Sequence, residues 1–151
     1  MTGYSGTPLP RKLGIKPEDR VALVNAPKGF IDILGKLPFG VEVVDTVAEG
    51  APINVIVFFV RERSKLRSGF KRMARRLDPS GGLWVSWPKR SSGVVTDVNE
   101  DTVRNVALAA GLVDNKVCAI DETWSGLRCV VRLKDRPAKA ATARRSLLPT
   151  R

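Results

Sequence analysis

The seven residues Asn54-Val55-Ile56-Val57-Phe58-Phe59-Val60 are the most apolar run in the chain. A short, continuously apolar run of this kind reads as a central strand buried on both faces. The sequence around it alternates between strand-like and helix-like stretches. Residues 20–25 (RVALVN) read as a buried strand that stops at Asn-Ala-Pro. Residues 28–36 read as a helix, with Phe30, Ile33, Leu34 and Leu37 on one stripe and Pro38 closing it. Residues 41–45 (VEVVD) are a second strand. The link from Asp45 to Asn54 is too short for a helix plus a strand.

Residues 61–77 carry the clearest helical period. Leu66, Phe70, Met73 and Leu77 repeat at spacings of four, three and four, which makes one buried stripe. Glu62 opens this helix, and Arg75 and Arg76 close it, as the macrodipole favours. Asp-Pro-Ser-Gly-Gly (78–82) reads as a turn, and residues 83–87 (LWVSW) as a strand ended by Pro88. Asn99 is placed to cap a helix with Glu100 and Asp101 in its first turn and Gly111 past its end. Residues 116–120 and 127–133 read as two final strands around a six-residue loop containing Trp124. The order β-α-β-β-α-β-α-β-β argues for a mainly parallel, Rossmann-like α/β sheet with an antiparallel final pair.

Composition narrows the chemistry. With 151 residues, 43% of them hydrophobic and 27% charged, the chain suits one folded domain. It contains no histidine, which excludes histidine general bases, Ser-His or Cys-His catalysis and histidine-ligated metals. Cys118 and Cys129 are its two cysteines. They are too few for a four-cysteine zinc site and read as reduced core thiols. No metal site is expected. The first ten residues are polar and carry no secretory core, and no stretch approaches 18 apolar residues. The reading is therefore cytoplasmic, without membrane contact.

The net charge of +11 is concentrated in two segments. Residues 61–76 hold eight basic side chains against Glu62 alone: Arg61, Arg63, Lys65, Arg67, Lys71, Arg72, Arg75 and Arg76. The C-terminal stretch adds Arg136, Lys139, Arg144 and Arg145 within a small, basic, aperiodic tail. Like charges this close repel unless an anion neutralises them. The expected organisation is an arm over 1–19, an α/β domain over 20–135 and a flexible tail over 136–151.

The chain resembles class I methyltransferases, shortened, at GGLWVSW (81–87) after Leu77-Asp78-Pro79 and at AAGLVDNKVCAI (109–120). That resemblance implies a sheet of about six strands in the order 2-1-3-4-6-5, with the last strand antiparallel. The chain is also similar to an uncharacterised bacterial family, a domain of unknown function. The similar stretches are YSGTPLPRKLGIKP (4–17), RVALVNAP (20–27), GGLWVSWPK (81–89) and GLVDNKVCAIDETWSGLRCVVR (111–132). This second resemblance implies the fold and no activity.

Ligands of such sheets bind beyond the carboxyl ends of the strands, at the switch in strand order. The crevice candidates are therefore Asn25, Lys28 and Gly29 after the first strand, Asp45 after the second, Arg61 after the third, and Trp87 and Lys89 after the fourth. Lys28, Arg61 and Lys89 could converge on an anion. Trp84, three residues from Trp87, faces the opposite side of the sheet and reads as core. Trp124 is either a lid packed on the sheet or an exposed contact. Methyltransferases carry a glycine-rich first loop. Here Asn25-Ala26-Pro27-Lys28-Gly29 has one glycine, and no cofactor is expected.

The leading expectation is a non-catalytic module for an acidic partner, either nucleic acid or ribonucleoprotein. Phosphates would meet Arg63, Lys65, Arg67, Lys71, Arg72, Arg75, Arg76 and the tail. The alternatives are a nucleotide or S-adenosylmethionine-like small-molecule binder or divergent transferase, and a protein–protein adaptor docking an acidic protein.

Overall fold

The apolar run becomes β3 (Ile53–Phe59), third in a six-stranded sheet ordered β2-β1-β3-β4-β6-β5. The computed structural model describes residues 6–48 and 50–137. The other strands are β1 (Arg20–Val24), β2 (Glu42–Val44), β4 (Leu77–Pro88), β5 (Leu112–Ala119) and β6 (Trp124–Val131). β1 pairs in parallel with β2 and β3, and β3 pairs in parallel with β4. β6 is antiparallel to both of its neighbours. The order expected from the methyltransferase resemblance is the order found.

Alternation along β3 divides the core into two layers. Val55, Val57 and Phe59 pack on one face with Leu13 and Ile15, with Phe30 and Leu34, and with Trp84. Ile56, Phe58 and Val60 pack on the other with Leu66, Phe70 and Met73, with Val103 and Ala107, and with Trp87. The first layer is covered by two short helices, α1 (Leu9–Leu13) and α2 (Phe30–Leu34). The second is covered by α3 (Arg63–Arg76) and α4 (Glu100–Ala109). Each large apolar side chain of α3 so buried contributes about 1.5–3 kcal/mol. The arm expected over 1–19 therefore supplies core side chains.

Local chemistry sets the ends of these elements. Asn99 Oδ1 accepts a 2.9 Å bond from Thr102 N and caps α4, as expected. α3 begins differently. Asp97 Oδ1, from the loop after β4, accepts from Arg63 N at 2.6 Å, and Thr96 Oγ1 donates to the Arg61 carbonyl oxygen at 2.7 Å. The loop thereby caps the helix from 34 residues away. At the other end, Arg76 Nε donates to the Val47 carbonyl oxygen at 2.8 Å and Nη2 to those of Gly50 and Ala51. These bonds hold the helix-free link between β2 and β3.

Several boundaries differ from the expected ones. α2 is one turn long, because Gly29 and Gly35 bound it with φ of 84° and 82°. Ile33, expected on the buried stripe, is exposed. Asp-Pro-Ser-Gly-Gly lies inside β4 as a bulge: Ile53 pairs with Leu77, and Val55 already pairs with Gly82. Asp78 Oδ1 accepts from Ser80 N at 2.9 Å, so the turn chemistry is present within the strand. Gly81 permits it, since a Cβ there would lie 2.3 Å from the Asn54 carbonyl oxygen. The final hairpin has a tighter loop than expected. Trp124 sits in β6, paired with Pro88, and not in the loop.

Cys118 packs with the first layer and Cys129 with the second, so the two free thiols lie on opposite faces of the sheet. Burial pushes both thiols up, Cys129 to about 12. At the β5 margin of the sheet, Lys12 Nζ donates to the Ala119 carbonyl oxygen. Lys116 Nζ donates in turn to that of Lys12, both at 3.2 Å. No described helix is long and apolar enough to cross a membrane.

Candidate functional site

The order of the sheet puts its switch between β1 and β3. Two clefts open there, at the carboxyl ends of the parallel strands. The larger, about 640 Å³, is lined by Asn25 and Pro27 after β1, Phe59 and Arg61 at the end of β3, Lys65 of α3, and Trp124 of β6. The smaller, about 480 Å³, is lined among others by Pro27, Gly29, Val43 and Asp45. Pro27 borders both.

The floor of the larger cleft is aromatic. Phe59 stands edge-on to Trp124, with centroids 5.1 Å apart and planes at 87°. Phe59 also meets Phe30 at 4.9 Å and 70°. Such pairs add about 0.5–1.5 kcal/mol to the burial itself. Asp121 Oδ1 delivers Trp124 to this position by accepting from Thr123 N at 2.8 Å and Trp124 N at 2.7 Å. Asn25 leaves β1 with φ of 61°, in the left-handed region that asparagine tolerates better than most residues. The charged lining groups are Arg61, Lys65 and Glu62.

The expected crevice residues divide. Asn25 and Arg61 line the larger cleft, and Gly29 and Asp45 the smaller. Lys28 is exposed and lines neither. Lys89 lines neither as well; its backbone N donates to the Thr123 carbonyl oxygen at 2.7 Å. Trp87 does not reach the crevice. It is 7% exposed and belongs to the layer under α3 and α4, because its position on β4 faces that side. Of Lys28, Arg61 and Lys89, Arg61 alone lines a cleft, and Lys65 lines the same one. Lys65 follows the N-cap residue Glu62 by three positions, the one sequence signal that it belongs to the same end of the helix.

The basic helix also divides. Arg63 and Arg76 are committed to the fold. Arg63 Nη2 donates to the Asp97 carbonyl oxygen at 3.1 Å, and Arg76 holds the link described above. Lys65, Arg67, Lys71, Arg72 and Arg75 are exposed, and none forms an ion pair among the described residues. Arg67, Lys71 and Arg75 follow one another at i, i+4 spacing and share a face. Arg67 and Lys71 line one wall of a groove of about 650 Å³ whose other wall includes Asn99, Thr102 and Asn105. Its one lining carboxylate, Asp101, is paired with Arg104 at 3.0 Å.

Beyond α3, Arg136 Nε donates to the Val131 carbonyl oxygen at 3.0 Å, which ties it to the end of β6. Lys139, Arg144 and Arg145 lie outside the described residues. No group of three or more His, Cys, Asp or Glu side chains that could hold a metal occurs among the described residues.

No protein-family model matches the chain, and no curated protein matches it in sequence. Solved structures match it in shape. A SAM-dependent methyltransferase from Aquifex aeolicus superposes with a TM-score of 0.55 at 16% identity, covering 81% of this chain and 87% of that one. The ribosomal protein L11 methylase from Lactobacillus delbrueckii subsp. bulgaricus gives 0.57 at 12%, covering 82% and 75%. Magnesium protoporphyrin IX methyltransferase from Synechocystis PCC 6803, with bound SAM, gives 0.53 at 9%, covering 82% and 74%. The fold is that of the class I methyltransferases. At these identities the likeness is one of fold.

The fold family implies S-adenosylmethionine, and the loop after β1, Asn25-Ala26-Pro27-Lys28-Gly29, departs from the glycine-rich loop of that family. Asp45 and Arg61 line different clefts, with Pro27 bordering both. Within the loop after β1, Gly29 is the single residue without a Cβ, and nothing lies within 4 Å of the Cβ position there. Ala26 and Pro27 precede it in that loop, and each carries a Cβ. The arrangement offers cationic and aromatic contacts without a histidine base.

Proposed function

We propose that the chain is a non-catalytic accessory module on a methyltransferase fold, and that it binds nucleic acid through phosphate contacts of α3. The observation that carries this reading is the set of five exposed cations on α3, Lys65, Arg67, Lys71, Arg72 and Arg75, without an ion-pair partner among the described residues. Their mutual repulsion is relieved by an anion, and a row spaced along a helix suits a polyanion better than a single small one. The tail residues Lys139, Arg144 and Arg145 would extend the same contact.

Binding of this kind is weakly sequence-specific and strongly salt-dependent. The test is fluorescence anisotropy with labelled single-stranded RNA and duplex DNA at about 50 and about 200 mM salt. The expected result is tight binding at the lower salt and a steep loss at the higher. The double variant Arg72→Glu, Arg75→Glu should keep the native circular dichroism spectrum and lower the log–log salt slope by about 1–2. Absence of binding at the lower salt overturns the reading. Retention of one acidic protein after nuclease treatment, in place of nucleic acid, would show an adaptor.

A further inference from the structure

We propose that the larger cleft at the carboxyl ends of β1 and β3 is a binding site for a single nucleotide, with the planar base against the aromatic floor and the phosphate between Arg61 and Lys65. Three observations carry it. The cleft, about 640 Å³, falls within the range of small-molecule sites. Its apolar lining is rich in rings: Phe59, Trp124 and Pro27. The edge-on contact with Phe59 fixes the indole of Trp124, which still lines the cleft and is only half-buried. A flat apolar ligand can therefore bind there with little further ordering. Arg61 and Lys65 are exposed and without an ion-pair partner among the described residues, and Glu62 is the one lining carboxylate. One wall thus favours an anion while the floor favours a ring, and a nucleotide joins the two.

The end of α3 itself is not the anion site. At its first turn Arg63 N is bonded to Asp97 Oδ1, and Lys65 N and Leu66 N to the Glu62 carbonyl oxygen, so the phosphate is placed against side chains. Asn25 and Thr123, on the same lining, supply uncharged polar groups for the base or sugar edge.

The nucleotide could be free or an unpaired residue of a strand. The strand source rests on the nucleic-acid reading above, because Lys65 belongs both to α3 and to the cleft; the free source stands without that reading.

The readout is Trp124 fluorescence, since Trp84 and Trp87 are 0% and 7% exposed. The probes are adenosine monophosphate, adenosine, inorganic phosphate, S-adenosylmethionine, a short single-stranded oligonucleotide and the corresponding duplex. Adenosine monophosphate, the single-stranded oligonucleotide or both should change the fluorescence, and Trp124→Phe should abolish the change. Adenosine should bind about tenfold or more weakly than its monophosphate, and Arg61→Ala with Lys65→Ala should cost a similar factor. Both of those side chains are exposed, so that variant tests the site without disturbing the core. Arg72→Glu with Arg75→Glu, away from the cleft, should leave binding of the monophosphate unchanged even if it abolishes the α3 contact.

A response to the monophosphate alone marks a small-ligand site, and a response to the strand alone marks an unpaired residue. No response to either overturns the proposal. So does a response that survives Trp124→Phe or the Arg61/Lys65 variant, or S-adenosylmethionine binding as tightly as the monophosphate.

Discussion

Trp84 Nε1 donates a 3.0 Å hydrogen bond to the carbonyl oxygen of Leu13, and both side chains are fully buried. The bond spans 71 residues and joins the segment before β1 to the middle of β4. Trp84→Phe replaces the indole with a smaller phenyl ring, which leaves that carbonyl without its partner and part of a fully buried site unfilled. The expected cost is about 1–3 kcal/mol, read as a lower midpoint in urea denaturation. An unchanged midpoint would show that the N-terminal helix is not coupled to the sheet.

Gly81 is the point where the bulge of β4 presses on β3. A Cβ there would meet backbone oxygen at 2.3 Å, and backbone cannot step aside as a side chain can. Gly81→Ala should cost about 1–3 kcal/mol or more. Gly14→Ala is the comparison: its φ is 82° and nothing lies within 4 Å. It should cost about 1–2 kcal/mol, from backbone strain alone. The two can be ranked by thermal unfolding followed by circular dichroism.

Asp97 caps α3 from a distant loop. Asp97→Ala removes the acceptor of Arg63 N and should cost about 1 kcal/mol. Faster amide hydrogen exchange should appear at the first turn of α3, with α4 unaffected. Uniform acceleration across both helices would contradict a local capping role.

The Cys129 thiol is held at about 12, raised from 9.0 by burial and then by Asp114. A raised acid favours its neutral form in the fold, so its contribution to stability is fully present below pH 9 and is lost as pH rises from 9 to 12. Cys129→Ala should therefore approach the parent in stability across that window, by urea denaturation at stepped pH. At pH 8 a thiol reagent should modify the half-buried Cys118 in the native protein and reach Cys129 only on unfolding.

What could be read from the chain depended on whether the signal was local. The period of Leu66, Phe70 and Met73 defines α3 because those three side chains alone decide which face is buried. The order of the sheet was legible only by resemblance, since no single segment encodes its neighbour. The bulge in β4 looked like a terminator because Asp-Pro-Ser-Gly-Gly has the same turn chemistry inside a strand as at its end. Counting charge placed Arg63 and Arg76 with the free cations of α3, but their partners stand 34 and 29 residues away. The same distance effect hid that Lys65 and Trp124 line one cleft, and left Lys28 and Lys89 as candidates that line neither.

The bonds that Lys12 and Lys116 make at the β5 margin bear on how the molecule behaves at high concentration. β5 is eight residues long and ends the sheet, and Val117 on it is half exposed. A margin of that length would otherwise template the addition of a strand from a neighbouring copy. Two ammonium groups set along it, one already holding the Ala119 carbonyl, make such an approach bring like charges together in a partly desolvated contact. The opposite margin, β2, is three residues long and offers too little backbone to recruit a partner. The sheet is thus guarded against edge-to-edge growth at one side by charge and at the other by brevity.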